Sequence, residues 1–134
     1  MCLDSVTWRE SLIRFSAWVV LGARPDNALR LAHYLQNLAP PPFNAWARCG
    51  LDDDGFEALL DRGELETAAE MLIGPALRHA VSGRAGRGRK IARVWRDGDR
   101  AVSTAHDRDV PLALVKAWTG FMLERFDRSQ SLAA

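Results

Sequence analysis

The sequence predicts a mainly α, compact multi-helix domain with one β-hairpin, at about residues 90–106, before a C-terminal helix. Three observations support this fold class. Apolar residues recur at helical spacing near both ends of the chain, glycines close a series of short helical segments between them, and Asp97-Gly98 separates two β-prone runs. The length of 134 residues suits one domain. We therefore expect a single α-rich domain over residues 1–128 and a flexible C-terminal tail over residues 129–134.

The first helix is predicted from four large apolar residues with the i, i+4, i+7, i+11 spacing of one helical face: Trp8, Leu12, Phe15 and Val19. Ser5 or Thr7 is the expected N-cap, because Glu10 completes a capping-box pattern with Thr7. Four more apolar residues widen the face: Ile13, Ala17, Val20 and Leu21. A stripe this broad indicates either the central helix of the core or a helix shared with another subunit, and we favour the core.

Gly22 ends this helix, and Pro25 suits the first turn of a second one. The residues expected to face inward from the second helix are Ala28, Leu31, Leu35 and Leu38. His33 lies off that face and is predicted to be a surface residue. The prolines at 40–42 end the helix and predict a rigid connector, because consecutive prolines favour polyproline II.

Four short helical segments follow, each closed by a glycine that can adopt a positive φ. They cover residues 44–49, 54–62, 64–73 and 75–82. Residues 52–54 are three aspartates, expected at the N-cap and first turn of the second segment, where carboxylates meet the positive helix end. They do not match a calcium loop. The three histidines, His33, His79 and His106, lack ligand spacing with each other or with Cys49, so we expect no metal and no cofactor.

The hairpin is predicted because Asp97-Gly98 lies between two runs of strand-forming residues, 91–96 and 100–105. Alternation puts Ile91, Arg93 and Trp95 on one face of the first strand and Ala92 and Val94 on the other. Residues 106–109 are expected to form a cap and turn. The final helix then starts near Asp109, holds Pro111 in its first turn and runs to about Asp127.

The net charge of +1 hides an asymmetry along the chain. Residues 52–70 include eight acidic and one basic side chain, whereas residues 82–100 include seven basic and two acidic ones. This separation favours either a basic patch for an anionic partner or two complementary faces within the fold or between subunits.

The segment Ser82–Lys90 has the most distinctive composition, with three arginines, one lysine and three glycines in nine residues. Glycines let a backbone approach phosphates, arginines neutralise them, and Trp95 on the following strand is suited to stack on a base. We therefore predict a nucleic-acid-binding surface formed by Arg84, Arg87, Arg89, Lys90, Arg93, Trp95 and Arg96. In a winged-helix arrangement the hairpin is the wing, and residues 64–73 or 75–82 form the helix presented to DNA. The alternative interpretation is a solvated connector followed by a Trp95 that belongs to the core.

Two short patterns resemble known families. Gly83 and Gly88 are spaced as in the phosphate-binding loop of nucleotide hydrolases, but Arg89 and Lys90 occupy its Lys and Ser/Thr places. That loop also joins a strand to a helix, whereas here we predict a helix followed by a strand, so nucleotide hydrolysis is not assigned.

The second pattern is Arg100 and His106, which are separated by five residues. It resembles the Arg-x4-6-His motif of HEPN-domain ribonucleases, with Ala101 where that family has a polar residue. The resemblance covers these two residues. It implies an all-helical, dimeric site that cleaves RNA, and so gives the hypothesis of a small ribonuclease that uses Arg100 and His106.

The favoured hypothesis is a non-enzymatic accessory or regulatory protein that contacts nucleic acid. The alternative is a protein–protein interaction module or homo-oligomer without nucleic-acid binding. We expect a soluble, cytoplasmic protein with no membrane partner, because the longest apolar run, Ala17–Leu21, is too short to span a bilayer. The two lone cysteines, Cys2 and Cys49, are predicted to be reduced.

Overall fold

The computed structural model describes residues 2–47, 49–83 and 88–133, with the backbone alone described for 129–133. This part of the chain forms helices α1 (Ser5–Val20), α2 (Pro25–Asn37), α3 (Asp53–Asp61), α4 (Leu65–Ile73) and α5 (Val110–Ala133), a 3-10 turn at Phe43–Ala45, and strands β1 (Arg78–Ser82), β2 (Lys90–Trp95) and β3 (Val102–Asp107). The predicted fold class is therefore confirmed: a mainly α domain with a β-hairpin before a C-terminal helix.

The three strands form one antiparallel sheet in the order β1-β2-β3. β2 and β3 are the predicted hairpin, and Gly98 has the positive φ of 82° that a tight turn favours. The helix predicted at residues 75–82 is wrong, because residues 78–82 form β1 and hydrogen-bond to the edge of that hairpin. Residues 83–89 consequently connect two strands. This excludes the strand-to-helix order of a phosphate-binding loop and removes residues 75–82 as a recognition helix.

α5 lies between the other helices and the sheet. It packs against α1, α2 and α4 on one side and against β2 and β3 on the other. Trp118 and Phe121 are buried, and a Cβ on Gly120 would lie 2.8 Å from the Ser103 Oγ. Glycine at position 120 therefore lets β3 approach the helix closely. α5 continues to Ala133, beyond the predicted end near Asp127. The flexible tail over residues 129–134 stays a prediction.

α1 has the predicted buried stripe and a different cap. Trp8, Leu12, Phe15 and Val19 are all buried. The N-cap is Asp4 rather than Ser5 or Thr7, and its carboxylate accepts hydrogen bonds from the backbone N–H and the hydroxyl of Thr7, at 2.9 and 2.7 Å. The carboxylate satisfies an otherwise unpaired amide of the first turn.

α2 is rotated relative to the prediction. Leu31 is exposed, and His33, which we predicted at the surface, is buried. The reason is tertiary, because Phe56 of α3 stacks on the imidazole with ring centroids 4.2 Å apart. Burial lowers the pKa of His33 below its ordinary value, against the opposing effect of Asp53 and Glu57.

The segments between α2 and β1 are partly as predicted. Asp52 caps α3 by accepting the Gly55 N–H at 2.8 Å, and Gly63 and Gly74 follow α3 and α4 with positive φ. The segment predicted as helical at residues 44–49 is reduced to the 3-10 turn. None of the described helices combines the length and apolar character needed to cross a bilayer.

Candidate nucleic-acid interface

The sheet has one face on α5 and one face in solvent. Ala92 and Val94 point to α5 and are fully buried, as the alternation along β2 predicts. The register places nine residues on the opposite face, which we call the outer face, in three cross-strand rows: Arg78, Trp95 and Val102; Ala80, Arg93 and Thr104; Ser82, Ile91 and His106. Six of the nine are exposed and three, Ser82, Ile91 and Trp95, are half-buried.

The chemistry of the outer face suits a polyanion with planar bases. Arg93 is exposed and lies next to Trp95 along β2, and none of the nine positions is acidic. No other residue of the described chain forms an ion pair with Arg93. A guanidinium without a carboxylate partner is available to a phosphate, and the half-buried indole beside it is a ring on which a base can stack.

The seven predicted binding residues do not form one cluster. Arg84 and Arg87 lie outside the described residues. Lys90 is half-buried and has the same strand parity as Ala92 and Val94, so it lies on the α5 side of the sheet.

Arg89 and Arg96 flank β2. Arg89 is exposed at the N-terminal end of the strand. Arg96 follows its last residue, and its guanidinium lies 5.6 Å from the centroid of the Trp46 ring, at cation–π distance. Arg93 and Trp95 are therefore the predicted pair that the fold brings together on the outer face.

Two outer-face residues were missed by sequence reasoning. Arg78 sits opposite Trp95 and pairs with Asp97 at 3.1 Å, with both side chains largely exposed. His106 sits opposite Ile91 on β3. Only the pairing of β1 with β2 would have revealed Arg78, and residues 75–82 have no local signal that distinguishes this strand from a short helix.

A cavity of about 300 Å³ lies at the end of the sheet where β2 begins. Its lining residues are Arg89, His106, Asp107, Arg108 and Lys116. Asp107 is the one acidic group among them, and it accepts a hydrogen bond from Lys116 at 2.6 Å. The remaining lining charges, on Arg89 and Arg108, are positive, so the cavity extends the basic character of the outer face.

The ionisation of Asp107 is expected to make the free energy of unfolding depend on pH. Burial alone raises the pKa of Asp107, but hydrogen bonds from Lys116 and the Asp109 amide outweigh it and hold the pKa below its usual range. The stabilisation is thus present above the unfolded-state pKa of about 3.9 and is lost as pH falls through the folded-state value. Asp107→Asn should cost roughly 1 kcal/mol at neutral pH and nearly nothing at about pH 2. Urea unfolding at both pH values measures this. A cost for Asp107→Asn that is equal at the two pH values contradicts the assignment.

Arg100 and His106 do not lie in the helical setting that the ribonuclease resemblance implies. Arg100 lies two residues before β3 and His106 is the fifth residue of β3, so the four strand steps from Val102 to His106 span roughly 13 Å. Neither residue lies on a helix.

The described residues contain no group of three or more His, Cys, Asp or Glu side chains placed to hold a metal ion. Cys2 and Cys49 are both free thiols. In comparisons with known proteins, no family model, curated protein or solved structure matches this chain.

Proposed function

We propose that the protein is a non-enzymatic accessory or regulatory protein that binds single-stranded nucleic acid through the outer face of its sheet. The observation that supports this function is the adjacency of Arg93 and Trp95 on a face whose nine strand positions include no acidic residue, with the Asp97 carboxylate beside it paired to Arg78. Unpaired bases are the required ligand, because the Trp95 indole can stack on a base only when that base has left its own stack.

Each group has a distinct role in this proposal. Arg93 pairs with a backbone phosphate and releases a counterion, which makes the affinity fall with salt. Trp95 stacks on a base, a contact worth roughly 1–3 kcal/mol and independent of sequence. Arg89 and Arg108, at the cavity beyond the strand end, extend the path of the phosphate backbone. Arg84 and Arg87, which lie outside the described residues, are proposed to add phosphate contacts.

Fluorescence anisotropy with a labelled oligonucleotide of about 12 nucleotides tests the proposal, with DNA and RNA single strands and the matching duplexes at several salt concentrations. We expect single strands to bind more tightly than duplexes, with an affinity that decreases as salt increases. Trp95→Ala should weaken binding by about 10-fold without changing the salt slope. Arg93→Ala should weaken binding and reduce the slope by about 0.7, the contribution of one phosphate contact on a single strand.

Arg62→Ala is the matched control, because Arg62 is exposed, pairs with Glu64 and lies between α3 and α4, away from the sheet. It should leave both affinity and slope unchanged. Trp95→Phe should retain most of the binding, since a phenyl ring still stacks. Binding that is independent of salt, or that survives Trp95→Ala at full strength, refutes the proposed function.

A further inference from the structure

The exposed apolar surface of this protein is concentrated on α1 and α2. Seven of the nine large hydrophobic side chains that are strongly exposed in the described chain lie on these helices or at the turn between them: Val6, Ile13, Trp18, Val20, Leu21, Leu31 and Tyr34. These side chains lie on two surfaces. Trp18 is about 140° around α1 from Ile13 and borders Leu31 in a groove between α1 and α2. The outer surface of α1 exposes on the order of 300 Å², less than the roughly 800 Å² per partner of a standard interface, and so suits a weak dimer.

The outer surface of α1 carries a regular stripe of exposed apolar side chains. Val6, Ile13 and Val20 recur every seven residues, so they lie along one line of the helix, with Ala17 beside them. Each residue advances about 100° around the axis, which puts this stripe roughly 130° around the helix from the buried stripe that includes Trp8 and Leu12. Val6 and Val20 are 66% and 69% exposed, and Ile13 is 42% exposed. α1 thus has an apolar face toward the core and a second one toward solvent.

The spacing of the exposed stripe is self-complementary. Val6 and Val20 each lie seven residues, about 10.5 Å, from Ile13. If two α1 helices pack antiparallel with a two-fold axis at Ile13, each Val6 meets the Val20 of the other chain and the two Ile13 side chains meet at the axis. We propose that a second copy of this chain covers α1 in this way, forming a homodimer.

Charges beside the stripe fit the same arrangement. Glu10 and Arg14 are both exposed and lie on one flank of the stripe. The two-fold axis at Ile13 brings Glu10 of one chain within about 3 Å, along the helix axis, of Arg14 of the other. On the opposite flank Arg9 already pairs with Asp127 at 2.9 Å. On one flank, the antiparallel pairing therefore places Glu10 of each chain near Arg14 of the other. On the other flank, Arg9 is already neutralised by Asp127 of its own chain.

The dimer is compatible with the proposed nucleic-acid interface and independent of it. α5 lies between α1 and the sheet. Packing through α1 therefore leaves the outer face of both sheets accessible, on the far sides of the assembly.

Sedimentation equilibrium of the full chain, without nucleic acid, measures whether the homodimer forms. We expect a concentration-dependent species of twice the 14.9 kDa chain mass. Val20→Glu and Ile13→Glu should each raise the dissociation constant at least about 30-fold, because each buries an unpaired carboxylate. Val102→Glu is the matched control, since Val102 is 45% exposed but lies on β3. A monomer at all concentrations up to about 1 mM, or a dimer unaffected by Val20→Glu, overturns the proposal.

Two further measurements test the antiparallel geometry. Glu10→Arg and Arg14→Glu should each weaken the dimer by setting like charges across the axis, and the double variant should restore it. With Cys2 and Cys49 replaced by Ser, Ile13→Cys should form an interchain disulfide under mild oxidation, because the axis brings the two copies of this position together. Val102→Cys in the same background should not. A double variant no tighter than either single variant, or no cross-link at position 13, excludes this arrangement.

Discussion

Trp8→Ala is expected to lower the free energy of unfolding by about 3–5 kcal/mol. Trp8 lies on α1 and is fully buried, with its ring centroid 5.4 Å from that of Phe43. Its indole N–H donates a hydrogen bond to the Leu35 carbonyl on α2 at 3.0 Å. The substitution therefore leaves a large cavity. It also removes one of two hydrogen bonds to the Leu35 carbonyl, which still accepts the Leu38 N–H at 3.1 Å. Small domains have a total stability of roughly 5–15 kcal/mol, so this variant loses a large part of it.

Two other variants separate the contribution of packing at Trp8 from that of its hydrogen bond. Trp8→Phe keeps much of the ring volume and loses the indole hydrogen bond, so its cost should be smaller than that of Trp8→Ala. The Leu35 carbonyl still accepts the Leu38 N–H in this variant. Trp18→Ala is the comparison on the same helix, because Trp18 is 38% exposed, and it should cost clearly less than Trp8→Ala. Urea unfolding followed by circular dichroism gives all three values. Equal costs for Trp8→Ala and Trp18→Ala are incompatible with the packing described here.

The features predicted correctly from the sequence are those with a local cause. Apolar spacing located the buried stripe of α1, and Asp97-Gly98 located the β2–β3 hairpin, because both signals lie within one or two elements. β1 was missed because its strand conformation depends on pairing with the hairpin edge, across the segment of residues 83–89. His33 was misplaced for a similar reason, since the burial of that side chain depends on Phe56, which comes from another helix.

In the candidate interface, too, some residues are placed by local sequence pattern and others by tertiary contacts. The positions of Arg93 and Trp95 follow from the two-residue period of β2, and so does the opposite placement of Lys90, which composition alone had grouped with them. Arg78 and His106 join the outer face through strand pairing, which the sequence does not encode locally. Charge clustering along a sequence therefore indicates a basic region, while the sheet register decides which of its side chains share a surface.

The second large stability effect is expected at Asp99, in the turn between β2 and β3. Its carboxylate lies 2.6 Å from a guanidinium nitrogen of Arg125 on α5 and 3.6 Å from one of Arg128. The side chains of Asp99 and Arg125 are only 12% and 21% exposed. The Arg125 guanidinium also lies 5.2 Å from the centroid of the Trp46 ring, so it is held in place on the apolar side. This contact ties the hairpin turn to the central helix.

Asp99→Asn should therefore cost about 2–3 kcal/mol, because it leaves the guanidinium of Arg125 largely desolvated without a carboxylate. The value is below that of a fully buried pair, since residual exposure screens the interaction. Asp97→Asn is the matched control in the same turn. Its pair with Arg78 has side chains 70% and 66% exposed, so the change should cost less than about 1 kcal/mol.

A double-mutant cycle of Asp99→Asn with Arg125→Met isolates the pair, and urea unfolding supplies its four free energies. We expect a coupling of more than 1 kcal/mol, because Arg125→Met removes the charge that Asp99→Asn leaves without a partner. Hydrogen exchange should also become faster at the β2–β3 amides in Asp99→Asn, since the turn is then released from α5. Coupling near zero means that the contact contributes shape rather than charge.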